Sequence, residues 1–260
     1  MARWLAGYAA VMALTFGTAA AAVEPEIGTT VAVKNQVLIL AEENKRRLQK
    51  GGKVHQNEVV ETSRSASAEI CLLDDTKLAV GPSARVVLDK FVFNASATPG
   101  AITVNLTKGA FRFISGKSPS QSYEIRTPTA SMGVRGTVFD VFVAENGETA
   151  VLLHDGAVDV CAEPSRCRRH DTIGRIVHVN LQRIVSLPLP WDGSFMRGIG
   201  AATAFPFLGR RLAIDPVRRM RQADILAPVD RATRGITKPV EDITKAPRQL
   251  QRTLPIRPPF

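Results

Sequence analysis

The chain has 260 residues and a formal net charge of +10, with 45% hydrophobic and 22% charged residues. That length holds one large domain or two small ones, and the balance supports a packed core. Past the first 22 residues no apolar run is long enough to span a bilayer, which argues against a multi-span membrane protein.

Residues 1–22 read as a cleaved signal peptide. Arg3 is the positive n-region, Trp4–Phe16 the apolar h-region, and Ala19–Ala22 the small-residue cleavage site. The mature protein is therefore expected in an oxidising compartment, periplasmic or secreted. Ile27–Leu40 is rich in Val, Ile and Thr and reads as one or two strands. Leu38–Lys50 favours helix by propensity, but the Gly51-Gly52 turn and the Val59–Thr62 run beyond it argue for strands. Ala68–Leu73 and Thr76–Val80 flank a turn at Asp74-Asp75. Ala84–Phe93 reads as a long strand covered on both faces. Ile102–Leu106 and Ala110–Ile114 are expected to form a hairpin through Thr107-Lys108-Gly109.

Tyr123–Arg126 leads into Thr127–Val143, whose end, Val138–Val143, is β-branched and aromatic almost throughout and reads as a buried strand. Gly136 implies a bulge or a backbone packed too closely for a Cβ. Arg135, on the approach, is expected to bond turn carbonyls or a carboxylate such as Asp140. Glu145–Glu148 is a hairpin turn. Thr149–Leu153 and Ala157–Cys161 are expected to form another hairpin around His154-Asp155-Gly156, with Ile173–Val179 as the last strand. About a dozen short strands with turn residues between them indicate an all-β sandwich, roll or solenoid-like stack.

From Leu187 the character changes. Asp192–Phe260 holds 13 Lys/Arg and 6 Asp/Glu, so +7 of the net charge lies there. Pro216, Pro228 and Pro239 punctuate it, and Val229, Ala232, Ile236, Val240 and Ile243 share a helical stripe if the Pro breaks are ignored. Residues 187–260 are read as a weakly ordered, basic tail, partly helical and ending in a disordered Pro-rich segment. Nucleic acid is disfavoured as its partner by the export signal and by the lack of an aromatic-interleaved basic face. An anionic membrane or cell-wall surface suits its charge.

Cys161 and Cys167 bracket a short loop and are candidates for a disulfide. A metal site with His170 is the alternative, weakened by a missing fourth ligand and by Arg166, Arg168 and Arg169. Cys71 reads as a buried, inert thiol. No catalytic motif is present: the four histidines are scattered, and Asp74-Asp75-Thr76 reads as a turn rather than a protease signature. No cofactor, metal or small-molecule substrate is implied.

Thr127-Pro128-x-Ala130-x-x-x-Val134-Arg135-Gly136-Thr137-x-Phe139-x-Val141 resembles the signature of the FecR domain family. The resemblance extends over roughly residues 27–180. It implies an extracytoplasmic β-domain, a binding or sensing module rather than an enzyme, with these nine residues as structural or partner contacts. Sensors of this family resemble a three-part chain of cytosolic anti-sigma segment, membrane span and β-domain. Here a signal peptide stands in place of the first two, so the expectation is a stand-alone module binding another envelope protein, not a direct sigma-factor regulator. The alternative is a structural envelope protein that binds polysaccharide or membrane through its tail.

Overall fold

Three long strands organise the molecule, and two of them run past the turns that their sequences suggest. The computed structural model describes residues 24–41, 44–92, 101–215 and 220–226. Its strands are β1 (Glu26–Lys34), β2 (Val37–Ala41), β3 (Asn44–Arg47), β4 (Lys53–His55), β5 (Val59–Thr62), β6 (Ser67–Leu72) and β7 (Lys77–Val80), followed by β8 (Arg85–Val92), β9 (Ala101–Ile114), β10 (Tyr123–Arg126), β11 (Ser131–Val143), β12 (Thr149–Glu163), β13 (Arg166–His170) and β14 (Ile176–Val179). Two helical turns, α1 (Ala201–Ala204) and α2 (Gln222–Ile225), follow. The protein is all-β, as the turn spacing implied.

Each long strand changes neighbours half-way. The first half of β9 pairs with β8 on one side and, in parallel, with β10 on the other. Its second half pairs with β7 and β11. β11 leaves β10 after Gly133 and joins β9 at Val138. β12 follows β11 along its length, while its other edge takes β14 at Thr149–Leu152 and β13 beyond Val158. One 14-stranded sheet is thereby wrapped round a single core. Phe111, Phe113 and Phe139 are fully buried in it, with Ile39 and Val60 arriving from the opposite side of the roll.

The two expected hairpins are corrected by this arrangement. Thr107-Lys108-Gly109 lies inside β9, and His154-Asp155-Gly156 lies inside β12. Both glycines have positive φ, +98° at Gly109 and +78° at Gly156. A positive-φ glycine reverses the chain only when the flanking strands pair with each other. Here both flanks pair with other strands, so the glycine becomes a bend. Leu38–Lys50 forms β2 and β3, so strand pairing outweighs the helical propensity of its Glu, Lys and Arg. β8 buries alternate residues and is covered on one face, not two. Strands covered on both faces include the second half of β9, the second half of β11, the first half of β12 and β14.

Alternation explains that double cover. Phe111, Phe113, Phe139, Val141, Val151 and Leu153 point into the roll. Ala110, Phe142, Ala150 and Leu152 point outward and join a second apolar cluster with Trp191, Met196, Phe205, Phe207, Leu208, Ile214 and Ile225. The described part of the C-terminal extension is therefore packed on the sheet rather than free of it. Leu189 continues the ladder on β14 through two bonds to Ile176, and Trp191 N–H donates to Ile225 O. The bed beneath is shallow because Ala79, Gly81, Ala110 and Ala150 are small. A Cβ on Gly81 would meet the Phe207 ring at 3.2 Å. The leader, the Val229–Ile243 stripe and the Pro-rich end lie outside the described residues.

A motif corner and a sealed charged cluster

The motif residues of Thr127–Val141 build a corner. Thr127 and Ala130 close a tight turn: Thr127 N–H donates to Ala130 O at 2.8 Å, and Ala130 N–H donates to Thr127 Oγ1 at 2.9 Å. Thr149 Oγ1 donates to Thr127 Oγ1, and Thr129 Oγ1 donates to Gly147 O, which ties this turn to the next one. Pro128 packs within the same pair of turns, 3.1 Å from where a Cβ on Gly147 would stand. Ala130 and Val134 are buried, and Phe139 and Val141 lie in the core, with Phe139 against Phe113 at 5.4 Å between ring centroids.

Arg135-Gly136-Thr137 is the bulge at which β11 changes partner. Gly136 has φ +58° with nothing within 4 Å of a notional Cβ, so conformation selects glycine there, not crowding. The crowding falls opposite. A Cβ on Gly156 would sit 2.3 Å from Gly136 O. Thr137 locks the bulge: its N–H donates to Ser115 Oγ and its Oγ1 donates to Ala157 O at 2.6 Å. The Arg135 backbone opposes Ala157; its side chain lies outside the described residues. Asp140, proposed above as its partner, is engaged elsewhere.

Asp140 anchors a cluster that sequence reasoning missed. On the outer face of three adjacent strands stand Arg112 of β9, Asp140 of β11 and His154 of β12. Arg112 and Asp140 are directly opposite in the ladder. The guanidinium donates through Nε to Oδ1 at 2.6 Å and through Nη2 to Oδ2 at 2.9 Å, a two-pronged pair. His154 Nε2 lies 3.0 Å from both Arg112 Nη2 and Asp140 Oδ2. From the C-terminal extension, Asp215 accepts from Arg112 Nη1 at 2.8 Å, and Phe207 places its ring 5.8 Å from the guanidinium carbon. The Arg112 and Asp140 side chains are 3% and 1% exposed.

Burial pushes the Asp140 carboxyl up, but His154 and Arg112 outweigh it and hold it at about 2. Burial pulls the Arg112 guanidinium down, and Asp140 and Asp215 more than reverse that. The cluster is charge-compensated, hydrogen-bonded and lidded, and no Ser or Cys nucleophile takes part in it. These are properties of a structural network, not of a site open to substrate.

A second polar network lies where Asp74 enters its turn. Tyr123 Oη and Thr76 Oγ1 donate to Asp74 Oδ2 at 2.7 and 2.8 Å, and Ser118 N–H donates to Tyr123 Oη. Asp75 follows at φ +66°, the turn that its sequence implied. Cys161 and Cys167 are joined by a disulfide across β12 and β13. Cys71 is free and half-buried, less enclosed than its apolar neighbours suggested. Among the described residues no group of three or more His, Cys, Asp or Glu is placed to hold a metal. No helix among them is long and apolar enough to cross a membrane.

No curated protein matches the chain. Two crystal structures of a protein designated an anti-sigma factor from Parabacteroides distasonis ATCC 8503, at 1.65 and 2.50 Å resolution, are similar to it at 18% identity. Their TM-scores are 0.37 and 0.38, and the match covers 47% of this chain and 54% of theirs, so the chain spans about half their length. Residues 58–159 match the family model described as FecR protein, and the motif at Thr127–Val141 lies within the matched segment.

Proposed function

We propose that the chain is a non-catalytic extracytoplasmic binding or sensing module that contacts another protein of the cell envelope. The observation that carries this reading is the closure of the Arg112–Asp140–His154 cluster. The groups best suited to acid–base chemistry are spent on one another and covered by Phe207 and Asp215. The FecR match over residues 58–159 supports a role in envelope signalling or regulation. The leader-like start of the sequence supports an address outside the cytosol.

Cross-linking in intact envelopes, followed by identification of the attached protein, tests this. An envelope protein is the expected partner. A cytosolic sigma factor among the products contradicts the stand-alone role, and turnover of a substrate by the purified chain contradicts the absence of catalysis. A second reading rests on the +7 charge of residues 192–260 and takes the tail as the binder of membrane or wall polyanions. Removing residues 227–260 separates the two, because the packed lid is then retained. If envelope association is lost while protein cross-links persist, the tail carries the surface binding.

A further inference from the structure

We propose that the open edge of β13 is a docking strand for an extended, acidic segment of a partner protein, which adds to the sheet beside Arg166–His170. This rests on the binding-module reading above and names the chemistry of its partner.

Three observations place the site. First, β13 ends the sheet: it pairs with β12 on one side and with no described strand on the other. The neighbouring edge, that of β14, is already covered by Val185 and Leu189. Of the other open edges, β4 has three residues and β3 four, against five in β13.

Second, the register exposes a defined pair of residues. Cys161 and Cys167 face each other with Cα atoms 3.9 Å apart, the close spacing of a non-hydrogen-bonded antiparallel pair. Arg168 and His170 therefore turn their backbone groups toward β12. Cys167 and Arg169 turn theirs outward, and no described backbone bond outside the ladder reaches them. The disulfide fixes this register by tying the docking strand to its neighbour.

Third, the charge selects the occupant. Arg166 and Arg168 share one face of the strand and Arg169 stands on the other, so the edge is basic on both faces. Arg166 pairs with Glu163, and Arg169 lies 3.5 Å from Asp171. Arg168 forms no ion pair among the described residues, and its Nε is buried without a hydrogen-bond partner. An incoming carboxylate pairs with that guanidinium. A basic edge repels a second copy of itself, which guards against self-association, yet it accepts a strand of opposite charge.

The test uses a fluorescein-labelled peptide of alternating valine and glutamate, its valine–lysine counterpart, and the full chain with its disulfide intact. Anisotropy is expected to show saturable binding of the acidic peptide and none of the basic one. Arg169→Pro removes an outward N–H that the ladder does not use, and is expected to weaken binding at least tenfold. Arg168→Glu is expected to do the same with every backbone group kept. Near-UV circular dichroism checks that both variants fold. Equal binding of the two peptides, no binding of the acidic one, or wild-type affinity in both folded variants overturns the proposal. In envelope cross-linking, a partner captured equally by wild type and Arg169→Pro overturns the docking edge alone. Absence of any captured partner with wild type overturns the binding-module reading itself.

Discussion

Arg112 and Asp215 stand 103 residues apart in sequence and meet at 2.8 Å. This contact joins the segment that matches the FecR family model to residues beyond it and turns an outward-facing charge into a buried one. The pair is unequal. Arg112 keeps its two-pronged bond to Asp140 whether or not Asp215 is present. Asp215→Asn is therefore expected to cost about 1.5–3 kcal/mol, in the range of one charged hydrogen bond. Asp140→Ala leaves a buried guanidinium without its main partner and is expected to cost about 3–5 kcal/mol. Urea unfolding of the two variants checks the order; a larger loss for Asp215→Asn contradicts it.

Acid stability follows from Asp140. Its folded pKa, about 2, is depressed below the unfolded value of about 3.9. The stabilisation is fully present above pH 4 and is lost as pH falls through 2, with a size of about 2–3 kcal/mol. Asp140→Asn is expected to flatten stability against pH in that window. Unchanged steepness between pH 4 and 2 in this variant assigns acid unfolding to other groups.

The bulge glycines are expected to respond differently. Gly136→Ala meets open space and incurs the strain of a positive φ alone, about 1–2 kcal/mol. Gly156→Ala adds a 2.3 Å approach to Gly136 O, backbone that the Thr137 bonds hold in place. It is expected to cost about 3 kcal/mol or more. Thermal melts that show Gly136→Ala as the more damaged variant contradict the assignment of crowding to Gly156.

The position of a truncation matters. A cut after Pro190 strips Trp191, Phe205, Phe207, Ile214 and Ile225 from the outer face. These five side chains contribute about 10 kcal/mol as an upper estimate. That fragment is expected to aggregate or to bind ANS through the exposed Ala110, Phe142 and Leu152 face. A chain ending at Leu226 is expected to fold and to leave ANS unbound. ANS-silent, monomeric behaviour of the shorter fragment contradicts the lid.

The strands were legible because their signals are local. Val138–Val143 is β-branched and aromatic except at Asp140, and Glu145–Glu148 closes with an Asn-Gly turn. Gly109 and Gly156 were misleading for a physical reason: a left-handed glycine looks the same in a turn and in a bend, and partners distant in sequence decide which it is. The lid was not legible. Its Trp and Phe residues are scattered among Gly, Pro and Arg with no helical or strand period, and they pack as single anchors into a bed of alanines. The charged cluster left a faint trace, since Arg112 and Asp140 each stand at an outward position in a strongly apolar strand. Only the register of β9 against β11 shows that they face each other.

The β-sheet and residues 191–226 are expected to form one folding unit around the sealed cluster, and this claim is directly testable. In a Trp4→Phe chain, Trp191 is the sole tryptophan and stands in the lid, so its fluorescence reports the lid while far-UV circular dichroism reports the sheet. Equilibrium unfolding followed by both is expected to give coincident transitions with a single midpoint. A tryptophan transition at clearly lower denaturant, with strand signal intact, contradicts the claim.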